Sequence, residues 1–269
     1  MEGNVHPKEK IYFYIMSAIS LMLYAAAVFF APIALIYVPI IWALRAFVGA
    51  LALGYLRSNA IKVSEHQFPE IAAVAKEQCA TLKMQMPDIY IMQGHGMLNA
   101  FATRIARRNM VMLYADVLEI AYQEGMDAVA FILGHELGHL HRRHVHPMKS
   151  LLIWPATFIP FLSNAYSRAC EYTCDAIGYA LCPQGAIKGL LVLAAGKKLY
   201  TAVSVNALLA NKEYEQGFAV WLAEIVSTHP PLLQRIAKVY QEDQQELAMH
   251  AKTYMSAHIN RLKETQPGS

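Results

Sequence analysis

The chain has 269 residues, enough for one or two domains and a sizeable core. It is 56% hydrophobic and only 16% charged, against about 25% charged residues in ordinary soluble domains, and its mean hydropathy of +0.27 indicates membrane contact. The net charge of +3 is too small to indicate nucleic-acid binding and no nucleic-acid-binding motif is present, so we expect no nucleic-acid partner.

A long apolar segment, residues 11–56, opens the chain. Ile11 to Phe30 contains two serines as its only clearly polar residues and is long enough to cross a bilayer as a helix. Ala31-Pro32 breaks the pattern, and Ile33 to Leu56 can form a second span. The segment therefore predicts a tight transmembrane helical hairpin.

Positive side chains flank both predicted spans: Lys8, Lys10, Arg57 and Lys62. Such residues are enriched on the cytoplasmic side, so both ends of the hairpin are expected there. We predict a membrane anchor over residues 1–57 and a second domain over 58–269. A cleaved signal peptide fits less well, because a second apolar segment follows at once and no convincing cleavage site is present. A buried soluble hairpin is the weaker alternative.

Arg45 lies midway along the second predicted span, where a charge costs at least about 2.5 kcal/mol. Its side chain can snorkel, face a partner helix or mark a slanted span. Alternatively, Pro39 splits this segment into something other than a straight helix.

From Ser58 onwards the composition is that of a globular domain. Residues 68–84 have helical spacing and end before Pro87. Extended segments are predicted over residues 88–92, 99–103 and 109–114. Asp116 is a predicted N-cap of a helix through Tyr122, and Asp127 of a helix from Ala128 to about His144. Two further helices are predicted over residues 212–227 and 231–263.

The helix after Asp127 contains His135-Glu136-Leu137-Gly138-His139, which fits the pattern H-E-x-x-H. Positions i and i+4 project from one helix face, so both imidazoles can reach one metal ion. The carboxylate beside the first ligand can take a proton from a metal-activated water. Gly134 and Gly138 present a surface without side chains, which lets a neighbouring backbone approach.

Catalytic zinc sites usually have three protein ligands and an open position, so a third ligand is needed. Glu171 is the best candidate, and Asp175, one turn further on, can fix the tautomer of a ligating imidazole. The alternative is a solvated helix face with two acids. Cys170 and Cys174 compete as ligands, but hydrolytic zinc more often uses histidine and carboxylate, which favours packing roles for both thiols.

The other candidate ligands carry weaker signals. His141, His144 and His146 indicate a solvated basic cluster, and His95, in a glycine turn, stays an open candidate. The four cysteines form no disulfide framework or C-x-x-C zinc pattern, which suits a reducing compartment. The apolar segment 151–162 is too short to span a bilayer and is expected either to enter the membrane interface or to cap the core.

Four motifs together resemble those of the M48 family of membrane-associated zinc metallopeptidases. They are HELGH at 135–139, EYTCD at 171–175, NAFA at 99–102, and THPP at 228–231 followed by Arg235. Their order and rough spacing match the family from about residue 60 to 240. The resemblance implies one zinc ion per subunit bound by His135, His139 and Glu171.

The resemblance also assigns roles around the zinc. Glu136 would be the general base and Asp175 would orient a ligand. Asn99, Ala100 and Phe101 would lie on an edge strand that binds the substrate backbone. His229 would be a second catalytic residue that helps to stabilise the oxyanion. The alternative for His229 is a residue at the start of a helix, before Pro-Pro. Arg235 would be structural and paired with an acid.

The expected fold is therefore α+β and mostly helical: a zincin-like (gluzincin) metallopeptidase domain with a small β-sheet, preceded by the transmembrane hairpin. The expected function is membrane-bound zinc endopeptidase, acting on protein or peptide substrates in membrane protein quality control or processing. The protein is expected to be an integral membrane protein, in the inner or plasma membrane if it is bacterial, with its catalytic domain facing the cytoplasm. The sequence is compatible with an oligomer. Two alternatives are an inactive membrane-anchored metal-binding scaffold and a soluble protease that loses its first 56 residues.

The chain also departs from the family pattern. Members usually have more spans, including some between the H-E-x-x-H helix and the third ligand, whereas only 31 residues separate His139 from Glu171 here. Cys174 stands where the family usually has a small residue, and Arg104 where a glycine is common. A CAAX-processing protease, which encloses a large chamber, needs more spans than this chain offers, so the chain is nearer to the quality-control proteases.

Overall fold

The computed structural model of the chain describes residues 4–30, 32–94, 100–105, 107–211, 217–245 and 248–249. Its helices are α1 Pro7–Phe30, α2 Tyr37–Asn59, α3 Pro69–Thr81, α4 Ala115–Glu124, α5 Asp127–His141, α6 Pro147–Ile153, α7 Leu162–Leu181, α8 Pro183–Leu199, α9 Val205–Asn211, α10 Phe218–Val226 and α11 over 232–245. Three short 3-10 turns are Pro32–Ile36, Pro155–Phe158 and Tyr200–Ala202. The strands are β1 Ile61–Lys62, β2 Asp88–Met92, β3 Ala100–Ile105 and β4 Arg108–Tyr114. The described part is thus mostly helical with one small sheet, as expected.

The sheet is mixed, with the order β1-β2-β4-β3. β2 and β4 are parallel, while β1 pairs with β2 and β3 pairs with β4 in antiparallel fashion. The three predicted extended segments correspond to β2, β3 and β4. Asn99, at the start of the second, lies outside the described residues. β1 was not predicted, because its two residues are exposed and have no apolar pattern.

The sheet is covered on both faces, because alternate residues of a strand point to opposite sides. Val111 and Leu113 of β4 enter the main core, which they share with α5. Met110 and Met112 point the other way and pack with Leu56 at the end of α2. The second apolar helix is therefore attached to the rest of the described chain through the outer face of the sheet.

α1 and α2 are each long and apolar enough to cross a membrane. They contact different parts of the domain: α1 packs against α6, the turn Pro155–Phe158 and α7, whereas α2 packs against β2 and β3. α2 begins at Tyr37 instead of the predicted Ile33, after the 3-10 turn. Pro39 lies in its first turn, where a missing N–H costs nothing, so it does not split the helix.

α5 is buried almost all round, as expected of a helix that is apolar on every face. Its predicted N-cap was wrong: Met126 occupies that position and Asp127 is the first helical residue. Asp116 lies in the first turn of α4, which begins at Ala115. α5 ends at His141, three residues before the predicted end.

Small residues let α5 and α7 approach closely. A Cβ atom on Gly134 would lie 3.3 Å from the Cα atom of Gly178, and one on Gly138 would lie 3.3 Å from that of Cys174. The expectation that a neighbouring backbone approaches this glycine surface is confirmed.

We predict that Gly178→Val destabilises the fold by about 1–3 kcal/mol through overpacking. The first added carbon alone would lie 3.1 Å from the Phe131 carbonyl oxygen and 3.2 Å from the His135 nitrogen. Gly54→Val in α2 is the matched control, because nothing lies within 4 Å of the added Cβ there. Thermal unfolding of the detergent-solubilised chain measures both; equal melting temperatures would contradict the packing argument.

Candidate active site

α5 and α7 bring His135, His139 and Glu171 together. The two Nε2 atoms lie 3.3 Å apart, and Glu171 places Oε2 3.5 Å from His135 Nε2 and Oε1 3.4 Å from His139 Nε2. Ligand atoms that share a tetrahedral zinc ion at bond lengths of about 2.0–2.2 Å lie about 3.3–3.5 Å apart. The three side chains therefore fit one zinc ion, with two nitrogen ligands and one carboxylate.

Two other groups of side chains also have ligand atoms close together: His139 with His144 and Cys174, and Glu9 with His144 and Cys170. Burial raises the pKa of Cys170 to about 12 and that of Cys174 well above its ordinary value. Burial thus disfavours the thiolate form, which is the form that binds metals. This supports packing roles for both cysteines, as expected from the sequence.

Asp175 and Arg235 lie behind His135. His135 Nδ1–H donates to Asp175 Oδ1 at 2.9 Å, and Arg235 donates to both carboxylate oxygens, at 2.8 Å through Nε and 2.6 Å through Nη2. With Nδ1 protonated, Nε2 has its lone pair free for a metal. Arg235 is thus paired with an acid as expected, and the structure identifies that acid as Asp175.

The buried charges of this group shift one another's pKa values. Burial alone raises the pKa of Asp175, but Arg235 and His135 outweigh it and hold the pKa below its ordinary value. Burial lowers the pKa of His135, but hydrogen bonds to Asp175 and Glu171 outweigh it and raise the pKa to about 10. Metal binding at His135 is therefore expected to be coupled to proton release.

A cleft of about 250 Å³ opens in front of these side chains. Glu136 lines it beside His135, and Ala100 and Phe101 line it from β3, the edge strand of the sheet. The position of Asn99 and of His95 falls outside the described residues. The cleft therefore combines a carboxylate, the three candidate metal ligands and a strand edge.

His229 reaches the same cleft from the loop before α11. Its side chain is 68% exposed, and its Nε2 lies 3.8 Å from Glu171 Oε1. Arg168 of α7 holds the preceding segment by donating to the carbonyl oxygens of Glu224 at 2.9 Å and Ser227 at 2.6 Å. The sequence did not indicate this role for Arg168, because an arginine on a polar helix face is usually solvated.

His144 is buried beside a candidate metal ligand, which the sequence did not predict. Its side chain is 6% exposed, so the prediction that it belongs to a solvated basic cluster was wrong. Its Nδ1 lies 3.1 Å from His139 Nδ1, and its Nε2 lies 3.2 Å from Oε1 of Glu9 in α1, without good hydrogen-bond alignment. α1 therefore contacts a side chain that touches a candidate metal ligand, an arrangement with no local sequence signal.

An H-E-x-x-H helix packed against a second helix that supplies a glutamate is the arrangement of a metallopeptidase. The model of peptidase family M48 matches this chain over residues 65–155 and 148–243. The chain belongs to peptidase family M48 and is a metalloprotease with two candidate transmembrane helices. It is also similar to a protein named protease HtpX homolog from Thermodesulfovibrio yellowstonii, with 25% identity over an alignment of length 227 that covers 67% of this chain and 78% of that one.

Proposed function

We propose that this protein is a membrane-anchored zinc endopeptidase with a zincin-like (gluzincin) catalytic domain. His135, His139 and Glu171 hold one zinc ion. The observation that carries this proposal is the set of three ligand-atom distances of 3.3–3.5 Å at one end of a cleft that Glu136 also lines. A structural metal site has no need of a carboxylate base in an open cleft.

A bound zinc ion supplies Lewis acidity and lowers the pKa of a water molecule towards about 7. Glu136 accepts the proton of the water that attacks the peptide carbonyl and then passes it to the leaving amine. Asp175 keeps the His135 proton on Nδ1, and Arg235 keeps Asp175 ionised. Each of these roles uses a contact or a cleft position already described.

The substrate is a polypeptide in extended form. β3 is an edge strand that lines the cleft, and an extended peptide can be added as a further strand at the edge of a sheet. We propose that Asn99, Ala100 and Phe101 align the substrate backbone in this way. His229, exposed at the mouth of the cleft, donates to the carbonyl oxygen on which negative charge develops.

Residues 1–57 are proposed to form the membrane anchor and residues 58–269 the peptidase domain. The positive residues at both ends of the apolar segment support a cytoplasmic catalytic domain. A bilayer is then one partner and membrane or misfolded proteins are the substrates. The similarity to a protein named protease HtpX homolog supports a membrane protease, and we propose that it acts in membrane protein quality control or processing.

Metal removal tests the proposal. Chelation by 1,10-phenanthroline is expected to abolish hydrolysis of an unfolded protein substrate, and one equivalent of zinc is expected to restore it. Metal analysis of the purified chain is expected to give one zinc ion per subunit. Zinc without any hydrolysis would instead indicate a metal-binding scaffold, and hydrolysis that survives full chelation would contradict the mechanism.

A further inference from the structure

We propose that the peptidase domain is partly immersed in the cytoplasmic half of the bilayer, where an apolar rim contacts lipid acyl chains. The apolar rim consists of Leu152, Phe158, Phe161, Phe218, Trp221 and Val226. The inference rests on the part of the proposed function in which α1 crosses the membrane. It concerns a surface of the catalytic domain itself.

The domain contacts α1 deep within its apolar stretch. Ser20 accepts a hydrogen bond from the backbone nitrogen of Ala156 at 3.1 Å, and the Tyr24 hydroxyl donates to the Leu151 carbonyl at 2.7 Å. α6 and the following 3-10 turn are therefore fixed to the middle of the helix.

α7 also contacts α1, along the part of α1 that is nearer to its N-terminus. The backbone nitrogen of His6 donates to the Thr173 hydroxyl at 3.0 Å, and the rings of Phe13 and Tyr166 lie 6.4 Å apart. Higher numbers in α1 thus meet lower numbers in α7, so α7 runs antiparallel to α1. The N-terminal end of α7 consequently lies beside the deeper part of α1.

The position of these contacts along α1 determines how deeply the attached domain lies in the bilayer. Ser20 lies nine residues beyond Ile11, or about 14 Å along a helix, which is almost half of the hydrocarbon core of about 30 Å. If the domain stayed outside the bilayer, only Leu21 to Phe30 would remain for the span. Those ten residues cover about 15 Å and cannot cross. An α1 that spans therefore carries the attached part of the domain into the membrane.

The exposed surface of the part of the domain attached to α1 is apolar, as contact with lipid acyl chains requires. Phe158 is 72% exposed, Phe218 is 74% exposed and Trp221 is 54% exposed. α10, which carries the last two, has no buried residue among its nine. An apolar patch of this kind on a soluble protein is an aggregation liability, whereas at the acyl-chain level it is stabilised.

α10 lies next to the first turn of α7. Asn164 donates to the Val226 carbonyl at 2.8 Å and Arg168 holds the carbonyl of Ile225 at 3.1 Å. The end of α10 is thereby joined to the part of α7 that follows Phe161. The end of α10 therefore lies near the N-terminal end of α7, which lies beside the deeper part of α1. This position, together with the exposed apolar side chains, makes lipid the occupant of the apolar rim.

Brominated lipids test the proposal, because bromine on the acyl chains quenches a tryptophan that it touches. The chain has three tryptophans, and variants of the full chain in phosphatidylcholine vesicles would each retain one. Trp221 alone, and Phe158→Trp in a background without the natural tryptophans, are expected to lose fluorescence in brominated relative to plain lipid. Trp42 in α2 is the positive control, and Met86→Trp, in the exposed loop beyond α3, is the negative control.

The outcomes separate this inference from the proposed function. Quenching of Trp42 without quenching at positions 158 and 221 would overturn the immersed rim and leave the anchor intact; a dimer in the same sample would then assign the rim to a second copy. Absence of quenching at Trp42 would overturn the anchor and the inference together. Quenching at 42, 158 and 221, with none at 86, supports the inference.

Discussion

Replacing Glu136 with glutamine is expected to lower peptide hydrolysis by about 10²–10⁴-fold and to leave the zinc content unchanged. The amide has nearly the shape of the carboxylate but cannot accept the proton of the attacking water. Glu136 is buried at the wall of the cleft beside His135, and the candidate ligand group consists of His135, His139 and Glu171 without it. The variant therefore separates catalysis from metal binding.

The measurement is a comparison of kcat/KM for an unfolded protein substrate together with metal analysis of both proteins. Glu70→Gln is the matched control, because Glu70 is exposed in the first turn of α3 and the same charge is lost there. Wild-type cleavage by the Glu136 variant would exclude Glu136 as the general base. Loss of zinc from that variant would instead make Glu136 part of the metal site.

Replacing Arg235 with leucine is expected to destabilise the folded chain by about 3–5 kcal/mol. Arg235 and Asp175 are both buried, and their two hydrogen bonds, at 2.6 and 2.8 Å, pair the charges face to face. Removal of the guanidinium leaves the buried Asp175 carboxylate with His135 as its remaining described partner and without its arginine counter-charge. Because Asp175 also orients His135, we expect zinc affinity to fall by about 10–100-fold as well.

Urea unfolding of the metal-free chain in detergent measures the stability change. Arg108→Leu is the matched control: its ion pair with Asp88 spans 3.6 Å, the arginine side chain is 61% exposed, and such surface pairs contribute about 0–1 kcal/mol. Replacing Asp175 and Arg235 together by leucine is expected to recover much of the loss, because no charge is then left unpaired. Equal stability of the two single variants would contradict the buried-pair argument.

Much of the fold could be predicted because its signals are local. β2 was predicted from a run of β-branched and aromatic residues between Pro87 and a glycine turn, and it has the predicted ends. The candidate ligands on α5 could be predicted because i, i+4 spacing places two side chains on one helix face whatever surrounds the helix. The same rule related Glu171 to Asp175.

Helix ends and caps were predicted less well. Asp116 and Asp127 are strong N-cap residue types, yet both lie inside the first turn of their helices. α2 likewise begins four residues later than predicted, after a 3-10 turn that no residue type indicated. In each case residue propensity supplied only a weak preference for where the helix begins.

By itself, therefore, the sequence determined the membrane-type composition, the segments that form β2, β3 and β4, and the residue types and helical spacing of the candidate zinc ligands. Only the tertiary structure decided that Arg235 pairs with Asp175 and that His144 is buried against His139 and Glu9. It also decided that α1 packs against α6 and α7. Those contacts join residues between 5 and 136 positions apart in the chain. Whether a polar side chain is solvated or paired depends on which surfaces meet, and that depends on the packing of whole helices.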